Sequence, residues 1–392
     1  MSPSRRDFLT SVALAGAAAG AAPAAATLER DHPAPAAEGP ADQRSRGGVH
    51  RTLEQDHPDV FIDACMQMWP DADFANAHRH GVTAYAVTAW DPHASLDHAL
   101  EGLMAWHLVA RQYPNLEVVR TADDIRRAKR DRKAGLLLAA QDGDWIGFGL
   151  HRVEAFQRLG LRMMLLAYNR GNHLCEGCLD RTGSGLTRYG ELVVAECNRV
   201  GIVLDCSHTG KRSTLDIMDR SRHPCVFSHS NPSALVPNPR NIDDEQIKAC
   251  AARGGVVALV TWGPLVMKPG QRSRPTVDDF IAIVDYVAQL TGSTDHIAIG
   301  TDMSIGTYPD HAVDPWGEPV YPSVSGDYDR AVTADIRSPL RNIEGFSDYS
   351  EVVPFANRLQ AHGYTPDDVR KILGGNLLRV FDRVWGPGAT AA

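Results

Sequence analysis

Basic runs are missing from this sequence, and so is any long apolar one. Asp and Glu outnumber Lys and Arg 48 to 40, and nowhere do the cations gather into a nucleic-acid face. The apolar stretch near the N-terminus, residues 12–22, is too short and too Ala-rich to span a bilayer. Cysteine is sparse and odd in number, at seven, so no complete disulfide framework is implied. No glycine-rich phosphate loop follows the first apolar strand, which argues against a doubly wound nucleotide-binding sheet. What remains is a chain of 392 residues, 43% hydrophobic, long enough for one large barrel or two ordinary domains.

The first residues carry an address. Ser4-Arg5-Arg6-Asp7-Phe8-Leu9 is a twin-arginine pattern, followed by the Ala/Gly-rich stretch and by Ala24-Ala25-Ala26, small enough for signal peptidase. Residues 1–26 are therefore expected to be a signal peptide that sends a soluble protein to the periplasm or beyond. Residues 27–58, rich in Ala, Pro, Asp and Arg without periodicity, read as a linker.

Residues 201–241 organise the rest. GIVLDCSHTG and PCVFSHSNPSALVPNPRN each hold a short, buried-looking strand that ends in Ser-His, giving Ser207-His208 and Ser228-His229. The connector between them is long enough for one helix, so the two histidines fall at the same end of consecutive parallel strands. A lone histidine there is usually structural, but two at equivalent positions are a common way to hold a metal ion. Arg240 follows on the next loop.

Further strands are expected at 60–62, 83–88, 135–140, 161–167, 256–260 and 297–300, with helix-compatible stretches between them. Eight strands alternating with helices over residues 59–386 predict a (β/α)₈ barrel, whose sites lie at the carboxyl ends of the strands. Residues 303–349 are long, irregular and rich in Pro, Tyr and Gly, which suggests a substrate-covering flap. Thr365-Pro366-Asp367-Asp368 opens the last helical region with a cap, a proline and an acid. Cys175 and Cys178 form a C-x-x-C that suits a local disulfide or free thiols, with a half metal site including His173 as the sharper alternative.

The strand ends collect Asp63, Cys65, Gln67, Trp90, Gln141, Asp142, Tyr168, His208, His229, Arg240 and Asp302. Two imidazoles and a carboxylate in that layout suit metal-assisted hydrolysis, and a rim arginine suits capture of a substrate carboxylate. Here the sequence resembles the membrane (renal-type) dipeptidases. The resemblance is carried by GLTRYGELVVAECNRVGIVLDCSHTG, VFSHSN, NPRNIDDEQI, ARGGVVALV, DHIAIGTDM and GGNLLRVF. It implies a barrel that cleaves dipeptides or small amides, with His208 and His229 on zinc, Arg240 on the substrate carboxylate and Asp302 moving protons. It also implies a homodimer.

The departures lie at the other zinc. Where that family carries a His-x-Asp pair after the first strand, this chain has Cys65-Met66-Gln67, and the bridging glutamate is Gln141. A neutral amide cannot bridge two cations as a carboxylate does. Tyr168 replaces a substrate-contacting histidine and is expected to stabilise the oxyanion. Three forms of the site stay open. A single Zn²⁺ would sit on His208 and His229, completed by Gln141, Asp302 or water. Alternatively, Cys65, Asp63 or Asp142 would rebuild a two-metal site, or the barrel would bind a small carboxylate ligand without turnover. A one-zinc dipeptide or amide hydrolase is the expectation, with Trp262 walling the substrate pocket.

Overall fold

The structure, a computed structural model, describes residues 60–69, 71–306, 322–325, 328–332 and 339–386. The signal segment and linker expected at 1–26 and 27–58 lie outside the described residues, as do 307–321, 326–327 and 333–338 of the expected flap.

Among the described residues, ten strands form one parallel sheet: β1 (Phe61–Met68), β2 (Val82–Thr88), β3 (Leu116–Val118), β4 (Ala134–Ala140), β5 (Leu161–Leu165), β6 (Val203–Asp205), β7 (Val226–Phe227), β8 (Val256–Leu259), β9 (Ile297–Ile299) and β10 (Met303–Ile305). Their order is β10-β1-β2-β4-β5-β6-β7-β8-β9, with β3 added on β4. Parallel neighbours need long crossovers, and helices supply them: α1 (Leu96–Gln112), α2 (Ala122–Arg130), α3 (His151–Leu159), α4 (Arg188–Val200), α5 (Lys211–Arg220), α6 (Asp244–Ala252) and α7 (Val277–Thr291). The expected alternation of strand and helix therefore holds, in an α/β fold whose parallel sheet is curled.

Every residue of AGLLLAA in β4 and LRMML in β5 is buried, as expected of strands covered on both faces. Leu136 and Leu138 face the helices, whereas Leu137, Ala139, Met163, Val203, Val226 and Ala298 share a second cluster on the other face. Leu377, Val380, Phe381 and Val384 of the last helix, α8 (Asn376–Trp385), complete that second cluster. Gly201 connects α4 to β6 with φ 77°, and a Cβ there would lie 2.9 Å from the Val384 carbonyl oxygen. Glycine is required on both counts. The Thr365 cap forms as expected, with Pro366 next and Asp368 reciprocating.

Two expectations change. The first strand runs on to Met68 rather than stopping at 62, because Met303–Ile305 is a strand that pairs with it instead of the start of a loop. The register between β1 and β2 also slips between Asp63 and Met66. Such an irregularity re-aims side chains, here beside the site.

Asp63 locks this junction. Its carboxylate accepts the Cys65 and Thr301 backbone N–H groups at 3.2 and 2.9 Å, and the Thr301 and Tyr349 hydroxyls at 2.5 and 2.7 Å. Burial pushes its carboxyl up to about 6 despite those four bonds. Asp63→Ala would leave several buried donors unpaired, and is expected to cost about 4 kcal/mol, lowering the melting temperature by roughly 10 °C. A melting temperature within a degree of the parent would show that Asp63 is not the tie described.

Candidate metal centre and active site

The carboxyl ends of β6 and β7 bring the two expected histidines face to face. His208 Nε2 and His229 Nε2 are 2.7 Å apart, and both side chains are buried. His208 Nδ1 lies 2.7 Å from Asn169 Oδ1, which can only accept, so Nδ1 carries the proton and the Nε2 lone pair points at His229. His229 Nδ1 is 2.6 Å from the Ser228 hydroxyl. Burial, followed by the Arg240 charge, holds both imidazoles well below the usual histidine range. They are neutral, as metal ligands must be.

Asp302 and Cys65 converge on the same point: ligand atoms of Cys65, His229 and Asp302 all lie within 4.8 Å of one another. Their convergence depends on Gly300, where a Cβ would fall 1.7 Å from the Ser228 carbonyl oxygen. Burial pushes the Asp302 carboxyl up to about 7, against the lowering charge of Arg240. Burial, with the Asp302 and Asp63 charges, raises the Cys65 thiol. The His229 imidazole, the Cys65 sulfur and the Asp302 carboxylate are a donor group that suits one divalent ion of borderline softness, and His208 Nε2 adjoins it through His229.

The remaining expected residues fall into place unevenly. Gln141 turns its amide nitrogen to Cys65 Sγ at 3.2 Å, so its place is beside the thiol. Gln67 bonds to Thr88 at 3.0 Å, and Asp63 is committed as described above, so neither is poised to replace a lost carboxylate ligand. Tyr168 lies flat on His208, with ring centroids 4.0 Å apart. Arg240 is buried and donates to the His229 carbonyl oxygen at 3.0 Å. Trp262 sits under the Arg341 guanidinium, 5.3 Å away, and bridges to Asn342. A cavity of about 330 Å³ is lined by His208, Arg240, Cys178, Glu176, Arg181 and Lys211 among others, but not by Trp262. Cys175 and Cys178 are free thiols, and Cys178 faces Asn169 rather than His173.

Three contributors escaped the sequence reading. Asn169 orients His208, and His93 and Asp144 pair at 2.7 Å beside Tyr168. Two of them share a backbone mark with two of the expected residues: His93, Asn169, His208 and Asp302 adopt φ of 63°, 61°, 60° and 55°. Non-glycine residues in the left-handed region concentrate at functional sites, where the surroundings hold them.

Neutral imidazoles, a buried carboxylate and a guanidinium at the carboxyl ends of a curled parallel sheet define the layout of a metal-dependent hydrolase. The membrane dipeptidase family, peptidase family M19, matches residues 63–316, and the chain belongs to that family. Dipeptidase tcpJ of Claviceps purpurea (strain 20.1) is 27% identical over 297 residues, 74% of this chain and 61% of that protein. An uncharacterized protein in the pqqA 5′ region of Klebsiella pneumoniae is 27% identical over 286 residues, 71% of this chain and 92% of its own length. Among solved structures, an amidohydrolase from Pseudomonas aeruginosa is 29% identical with a TM-score of 0.74, covering 86% of this chain and 100% of that one. A metallo peptidase from Rhodobacter sphaeroides, 19% identical, shares the fold at a TM-score of 0.66, over 83% of this chain and 99% of its own.

Proposed function

We propose that the protein hydrolyses dipeptides or related small amides, using one Zn²⁺ held by His208 and His229, on a sheet that closes as a (β/α)₈ barrel. The observation that carries this reading is the pair of buried, neutral imidazoles with Nε2 atoms 2.7 Å apart, with Asp302 and Cys65 grouped about His229. When bound, the ion supplies Lewis acidity and a water of lowered pKa. Asp302 takes a proton from the attacking water and returns it to the leaving amine, a task suited to a carboxyl that titrates near neutrality. Asn169 fixes the His208 tautomer, and Ser228 holds the orientation of the His229 ring. Tyr168, stacked on His208, is assigned the oxyanion, whereas Trp262, held against Arg341 and Asn342, is not assigned to the cavity wall. The cavity carries both signs of charge, with Arg181, Lys211 and Arg240 against Glu176 and Asp180, which suits a zwitterionic peptide. Closure of the barrel is supported by Gly300 and Asp302: their N–H groups donate to Leu259 of β8 and to Cys65 of β1, at 3.0 and 2.8 Å.

Chelation should abolish dipeptide cleavage, and Zn²⁺ should restore it. A second reading rests on Gln67 and Gln141, whose neutral amides would leave a catalytically altered barrel that binds a small carboxylate. It predicts saturable binding with no product. Arg240→Ala is expected to raise KM for dipeptides roughly 10- to 100-fold, the worth of a charge-assisted hydrogen bond, with kcat nearly kept. C-terminally amidated substrates should be spared. An equal loss on both kinds of substrate would remove the carboxylate role. Among the described residues no helix is long and apolar enough to cross a membrane. Export by the twin-arginine route rests on Arg5-Arg6 and Phe8-Leu9, and cell fractionation tests it. A homodimer is proposed from the family resemblance and is tested by light scattering.

A further inference from the structure

A second constellation stands at the same end of the sheet, on different strands. His93 follows β2, and Asp142 and Asp144 follow β4. One ligand atom from each lies within 4.8 Å of the other two. His93 Nδ1 is 2.7 Å from Asp144 Oδ2, and the His93 backbone N–H donates to Asp142 Oδ2. Asp142 is fully buried, and its Oδ1 has no hydrogen-bond partner among the described residues. A carboxylate oxygen enclosed without a donor is costly, and a second carboxylate beside it adds repulsion. His93 is also held in the left-handed region, at φ 63°. The competing account is an ion pair between a protonated His93 and Asp144 with a neutral Asp142, which leaves the orphaned oxygen unexplained.

We propose that His93, Asp142 and Asp144 form a divalent-cation site, of the imidazole-and-carboxylate type that takes Zn²⁺, separate from the His208–His229 pair. The cation satisfies Asp142 Oδ1 and offsets the repulsion between two neighbouring carboxylates. The two centres are close neighbours. The His93 ring meets Tyr168 edge-on at 6.1 Å, and Tyr168 stacks on His208. The second site stands without the hydrolase reading, since none of its ligands belongs to the first.

The test counts metal rather than turnover. The purified full chain is stripped with a chelator, reloaded with Zn²⁺, desalted and analysed for zinc, with Co²⁺ absorption as a second readout. The parent is expected to retain two ions. Asp144→Asn and His93→Ala should each lose one, with affinity at that site at least ~100-fold weaker, while the ion removed by His229→Ala is kept. Thermal melts establish that the variants are folded, and His93→Gln serves if the alanine variant is not. If the parent holds one ion that only His229→Ala removes, the second site is wrong and the hydrolase centre stands. If one ion is held that only Asp144→Asn and His93→Ala remove, the second site stands and the His208–His229 assignment fails. Equal zinc in the parent and in both His93 and Asp144 variants overturns the proposal outright.

Discussion

His229→Ala is expected to lose one bound zinc and to lower kcat/KM on dipeptides by at least about 10³-fold. The several kcal/mol of transition-state stabilisation that a metal centre provides is what the loss removes. The side chain has no second use that would mask the effect. Its Nε2 faces His208 Nε2 and its Nδ1 meets only the Ser228 hydroxyl. The fold should survive, because Arg240 and Ser207 bond to the backbone of residue 229, its carbonyl and its N–H, and not to the ring. A melt close to the parent's, with zinc and activity lost together, is the signature. Unchanged turnover would take this pair of imidazoles out of the mechanism.

The alternation of strands and helices was legible because buried parallel strands write themselves as short, wholly apolar runs such as GLLLAA. The two Ser-His strand ends were legible for the same reason, since each closes such a run. What the runs do not report is which strand ends meet. Met303–Ile305 has neither alternation nor length, and becomes a strand only because β1 is there to pair with it. Asn169 and His93 lie on loops whose direction depends on left-handed backbones at polar residues, a conformation no local pattern announces. Cys65 was visible as a departure from its relatives, but its partnership with Gln141 required the curl of the sheet. The resemblance named His208, His229, Arg240 and Asp302, and the structure shows which side chains surround them. Gln67 and Gln141 spend their amides on Thr88 and Cys65, and the paired acids Asp142 and Asp144 stand with His93 on a different spot.

Asp302→Asn is expected to lower kcat by about 10²- to 10⁴-fold, the usual contribution of a positioned general acid–base group. Asparagine is the informative replacement because the backbone at 302 sits at φ 55°, which Asn tolerates and alanine does not. The pH profile separates chemistry from mere damage. Burial raises this carboxyl to about 7, and only its ionised form can accept a proton from water. In the parent, kcat/KM should therefore climb with pH through a midpoint near 7 and level off above it. A cation on the adjoining imidazoles favours the carboxylate and moves that limb to lower pH, never to higher. In Asp302→Asn the limb should vanish from whatever activity is left. If the asparagine variant keeps the parent's limb unchanged, the titrating base lies elsewhere, and Asp302 positions its neighbours rather than moving the proton.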